Sequence, residues 1–100
     1  MDYFVYILYS KTGDKYYVGY SPTPEKRLLE HNSYENKVKF TAKYQPWELK
    51  FYFFVSQDVG EAMKVECFIK KQKSRQFIEK LISCSKEDDM IKSIIKKVLT

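Results

Sequence analysis

The stretch from Tyr3 to Tyr20, YFVYILYSKTGDKYYVGY, constrains this chain more than any other. Tyr3 to Tyr9 is a run of aromatic and branched aliphatic residues, Ser10 to Asp14 carries turn chemistry with Gly13, and Lys15 to Tyr20 is a second run. The pattern predicts a β-hairpin. Both faces of the first run are apolar, with Tyr3, Val5, Ile7 and Tyr9 on one side and Phe4, Tyr6 and Leu8 on the other, as in a central strand covered on both sides. With Thr12-Gly13 as the tip, Tyr6 falls opposite Gly19 and Leu8 opposite Tyr17, so that Tyr6 and Tyr17 lie diagonally adjacent on one face. Gly19 leaves room for a group to approach the backbone closely, either the Tyr6 ring or something bound over it. The same residues also describe a tyrosine-rich core face with hydroxyls at its rim.

The remaining chain is short. One hundred residues make one domain with a modest core, here divided into residues 1–83 and a C-terminal amphipathic helix, 84–100, packed on the same domain. With 44% hydrophobic and 31% charged residues, and no apolar run approaching the ~20 residues of a membrane span, the composition is that of a soluble protein. The expected location is the cytoplasm, since no signal peptide is visible and no membrane is implied. One histidine and two cysteines, Cys67 and Cys84, cannot build a four-ligand Cys/His zinc site; both cysteines are expected to be reduced, with Cys67 in the packing. The net charge of +5 suits an acidic partner, and also plain solubility.

After the hairpin, Thr23 as N-cap and Pro24 at the first helical position predict a helix to about Asn32. Arg27 and His31 lie four apart on its core-bordering face, where a planar guanidinium suits a phosphoryl oxygen; alternatively Arg27 pairs with Glu30 and His31 is exposed. Asn32 to Gln45 lacks periodicity and interleaves Lys37, Lys39 and Lys43 with Tyr34, Phe40 and Tyr44, a pattern that fits nucleic acid or an ordinary anchored loop. Trp47 to Ser56 predicts a third strand, with Pro46 suiting an edge and Trp47, Leu49, Phe51, Phe53 and Val55 on one buried face. From Asp58 a helix is predicted through about Lys73, with Ala62, Val65 and Ile69 as its apolar stripe.

Glu66 projects within about 40 to 60° of Ala62 and Ile69, inside that stripe, with Lys70 and Lys73 on the same side. A carboxylate there is either paired, as with Lys70, or coordinating something. Between Glu61 and Lys80 six cations, among them Lys70, Lys71 and Lys73, face three acids and form a basic shelf. A helix from Arg75 to Ile82 follows, capped by Ser74, and an amphipathic helix from Glu87 to Thr100 closes the chain; the latter is expected to dock on the domain, with binding to a membrane surface or a protein partner as the alternative.

Val5-Tyr6-Ile7 and Tyr17-Val18-Gly19 resemble the paired signature of the GIY-YIG nuclease family, and Glu25-Lys-Arg27-Leu-Leu-Glu30-His31-Asn32, Pro46-Trp-Glu-Leu49 and Glu61-Ala-Met-Lys-Val-Glu66 extend the resemblance. It covers about Asp2 to Ile82 and is closest to the small standalone bacterial members. The element order agrees with an α+β fold, a small three-stranded, largely antiparallel sheet flanked by helices. The resemblance implies an endonuclease hydrolysing phosphodiester bonds, in DNA by expectation, with one Mg²⁺ or Mn²⁺ on Glu66. It further implies that Arg27 stabilises phosphate charge, Tyr17 and Tyr6 orient or deprotonate water, and His31 assists proton transfer or positions a phosphate oxygen. Gly19 would be structural, and Lys37, Lys39, Lys43, Lys70, Lys71 and Lys73 would hold the nucleic acid. Homing members carry a late asparagine in the site, whereas the last asparagine here is Asn36, so either Lys70 or Lys73 fills that space or the function is absent. The alternative is a nucleic-acid-binding module of the same fold with weak or no catalysis.

Overall fold

The computed structural model describes residues 1–36, 39–83 and 89–100, and of Lys39 its helical backbone alone. Strand β1 (Tyr3–Ser10) lies between β2 (Lys15–Ser21) and β3 (Trp47–Ser56), antiparallel to both. The hairpin register is the one that the alternation predicts: Tyr6 faces Gly19 and Leu8 faces Tyr17. The left-handed residue of the connection is Asp14, at φ 51°, rather than Gly13. Gly13 is needed for space, because a Cβ there would overlap the Tyr44 ring.

The third strand departs from the expected single face. Ile7 pairs with Phe51 but Leu8 pairs with Leu49, so Lys50 is an extra residue, a β-bulge that reverses the alternation. Phe53 and Val55 therefore join Val5, Ile7 and Val18 on one face of the sheet, while Trp47 and Leu49 join Tyr6 and Leu8 on the other. The first face is closed by α3 (Val59–Lys71), α4 (Arg75–Ser83) and α5 (Asp89–Leu99), through Val65, Ile69, Leu81, Ile91 and Ile94. The second is covered by α1 (Pro24–His31) and the short α2 (Lys39–Lys43), the latter inside the segment expected to lack regular structure.

The helix ends follow local chemistry. Thr23 stands at the N-cap of α1 with Pro24 behind it, but its side chain makes no capping bond. Asp58 caps α3 by accepting from the Gly60 amide. That helix stops at Lys71, two residues short of expectation, because Lys73 takes a left-handed φ of 47° and frees Ser74 to accept from the Phe77 amide at the start of α4. Cys67 is exposed on α3 rather than packed, since its side chain points away from the Ala62, Val65 and Ile69 stripe. Cys84, Glu87 and Asp88 lie outside the described residues. Among the described residues no helix is long and apolar enough to cross a membrane.

Candidate active site

Strand β2 is an edge, and there side chains from opposite faces of the sheet can meet. Tyr6 from β1, Tyr17 and Gly19 from β2, Arg27 from α1 and Glu66 from α3 line one cleft of about 260 Å³, together with Tyr20, Ser21 and Pro22. Gly19 is filled by its neighbour: a Cβ at that position would overlap the hydroxyl and Cζ of Tyr6. Of the two occupants that the sequence allows, the tyrosine holds the space.

Tyr6 is buried, and its hydroxyl lies 2.9 Å from His31 Nε2. Burial pushes the phenol up to about 12, and the Arg27 guanidinium beside it pulls the other way without prevailing. Arg27 alone therefore does not deliver the lowered phenol that a base role for Tyr6 requires. His31 is 1% exposed, bonds Tyr6, and is not among the residues that line the cleft. Burial, helped by the charge of Arg27, holds its imidazole down at about 4, so the ring is neutral at neutral pH. Its ring centre lies 4.9 Å from that of Tyr17.

Glu66 is the one carboxylate among the described residues of the cleft. Its side chain is 14% exposed and meets Lys70 Nζ at 2.7 Å, which fits the paired reading of that position. Lys70 in turn lies over the Tyr17 ring, 5.4 Å from its centre, and occupies the space beside Glu66. Arg27 Nη1 bonds Glu30 at 2.7 Å, so the surface pair is present while the same side chain borders the cleft.

The basic residues scatter more than the sequence suggests. Lys73 joins Lys70 beside Tyr17 in a neighbouring groove, but Lys71 turns to the other side of α3, next to Lys64, Phe68 and Val98. Lys43 is exposed and lies over the Tyr44 ring. Lys37 and the side chain of Lys39 lie outside what the structure describes.

Sequence reasoning missed the scaffold behind His31. His31 Nδ1 lies 2.9 Å from Thr41 Oγ1, and Asn36 Nδ2 donates to Thr41 Oγ1 and to the His31 carbonyl. Gln45 donates to that same carbonyl, and the Trp47 indole donates to the Thr41 carbonyl at 2.7 Å. Asn36, the last asparagine, thus serves this scaffold and not the cleft. The available signal was the run of amide and hydroxyl residues at Asn32, Asn36, Thr41 and Gln45 in a segment without apolar period.

No curated protein and no solved structure matches this chain. The GIY-YIG catalytic domain family matches residues 2–80. Because that match spans most of the 100 residues, and falls on a sheet whose register sets Tyr6 against Gly19, the chain belongs to the GIY-YIG family of nuclease catalytic domains.

Proposed function

We infer that this protein is an endonuclease that hydrolyses phosphodiester bonds in DNA with one divalent cation, Mg²⁺ or Mn²⁺. The observation that carries the reading is the convergence of one carboxylate, one guanidinium and three tyrosines, from four separate elements, on a single open cleft. The donor set suits a hard, water-rich ion, because Mg²⁺ is commonly held by one or two carboxylates with water and substrate phosphate completing its shell. Glu66 would hold it, and among the described residues no cluster of three or more His, Cys, Asp or Glu competes for it. Bound there, the ion supplies charge neutralisation at the phosphate.

The side chains divide the remaining work. Glu30 engages one nitrogen of the Arg27 fork, which leaves N–H groups for a phosphoryl oxygen. With Tyr6 near 12 and His31 near 4, moving a proton from the phenol to the imidazole is strongly uphill. His31 accordingly directs the Tyr6 hydroxyl, and Tyr6 and Tyr17 orient the attacking water.

A binding module without cleavage has one observation in its favour: Arg27 and Glu66 are each already engaged by a neighbour. Incubating DNA and RNA substrates with Mg²⁺ or Mn²⁺ against EDTA separates the readings. Cleavage should require the ion and fall by orders of magnitude in Glu66→Gln, whose melting temperature without ion should hold or rise slightly while stabilisation by Mn²⁺ vanishes. Unchanged cleavage in Glu66→Gln removes the assignment, and ion-independent binding without cleavage establishes the module.

A further inference from the structure

A second groove, of about 550 Å³, runs along β2 from the cleft toward the hairpin tip and the α3–α4 junction. It adjoins the cleft: Tyr17 lines both, and Lys70 of the groove bonds the cleft's carboxylate. Its wall carries Lys15, Lys70, Lys73 and Arg75 against one acid, Asp14, and Arg75 Nη2 already neutralises that acid at 2.6 Å. Among the described residues neither Lys15 nor Lys73 is in an ion pair, so the groove keeps a surplus of positive charge.

Phe40 closes the groove beside Tyr17, its ring inclined 28° to the tyrosine with centres 6.2 Å apart. It is 41% exposed although it also touches Tyr44 and Trp47, so part of the ring stays open to solvent at the end of an aromatic cluster. An exposed ring in a concave, cationic groove suits a ligand with one flat apolar face and an attached anion. The volume lies in the range of small-molecule sites. A base inside a duplex has both faces covered by its neighbours, whereas an unpaired base can be splayed out and stacked on an aromatic side chain.

We propose that this groove is a subsite for an unpaired nucleotide flanking the scissile phosphate, with the base stacked on Phe40 and its phosphate held by Lys15 and Lys73. Substrates with a single-stranded or unpaired position next to the cut are then favoured over continuous duplex. The orientation along the strand rests on the nuclease reading above, but the subsite itself does not.

The test uses DNA and RNA oligonucleotides carrying 2-aminopurine, either paired within a duplex or at an unpaired position, with wild type, Glu66→Gln, Phe40→Ala and Phe40→Trp. Wild type and Glu66→Gln should bind the unpaired substrate more tightly than the duplex and quench its fluorescence. Phe40→Ala should lose roughly tenfold of that affinity, the scale of one base–aromatic stack, with duplex binding unchanged, and Phe40→Trp should retain it. Lys15→Ala with Lys73→Ala should weaken the unpaired substrate and keep quenching of whatever remains bound. Equal affinity for paired and unpaired substrates, or quenching that survives in Phe40→Ala, overturns the subsite even if the protein cleaves. Preference and quenching without any cleavage overturn the nuclease reading and leave the subsite standing.

Discussion

Gly19 and Tyr6 act as one unit, because the backbone of one strand and the ring of the next share a space that admits no Cβ. Gly19→Ala should destabilise the protein by about 1–3 kcal/mol in urea unfolding, the usual cost of overpacking. A change near zero would mean that Tyr6 moves aside freely. His31 gives a second expectation, with a definite sign. Its imidazole is held from the ordinary 6.5 down to about 4, so between those values the unfolded chain binds more protons than the folded one. Its contribution to stability is complete above pH 6.5 and is lost as pH falls toward 4, at up to about 1.4 kcal/mol per pH unit. Denaturant midpoints of wild type and His31→Gln from pH 7.5 to pH 4 check this; parallel curves would show that His31 is not buried neutral. The Tyr6–Gly19 pairing was legible from alternation alone. The partnership of His31 with Thr41 and Asn36 was not, since those residues come from a segment whose only pattern is polarity.

Strand β3 holds two faces in one element. The extra residue at Lys50 lets Trp47 and Leu49 pack over the tyrosines of the site, while Phe53 and Val55 pack beneath α3 and α5. Deleting Lys50 should remove this bulge while keeping the pairings on either side of it, and leave a folded protein. Deleting Tyr52, the partner of Tyr6, instead puts Phe53 out of register with Val5, and should abolish cooperative unfolding. Circular dichroism melts of the two deletions provide the comparison, and equal behaviour would argue against the bulge. The hydrophobic run of β3 was legible, but its change of face was not, because a bulge is defined by the partner strand and leaves an ordinary lysine in the sequence. The end of α3 was likewise hidden in Lys73, a residue with no local preference for a left-handed backbone.

At the scale of the molecule, the basic residues part into two surfaces, with Lys15, Lys70 and Lys73 beside the cleft and Lys64 and Lys71 on the side of α3 that meets Val98. If the cleft side engages about four phosphates, log K against log salt should have a slope near −3 to −4 by counterion release. Lys73→Glu should flatten that slope and Lys71→Glu should leave it nearly unchanged; titrations between 50 and 200 mM salt decide, and an affinity independent of salt would exclude phosphate binding. The sequence by itself determined the three strands, the hairpin register and the apolar stripe of α3, because each follows from a period of two or 3.6 residues that neighbours along the chain impose on one another. Only the tertiary structure decided that Glu66 shares a cleft with Tyr6, that His31 is buried against that tyrosine, and that Lys70 and Lys71 diverge. Those placements depend on how a helix from one face of the sheet crosses an edge strand and on what closes the other face, contacts between residues far apart in sequence that no local period encodes.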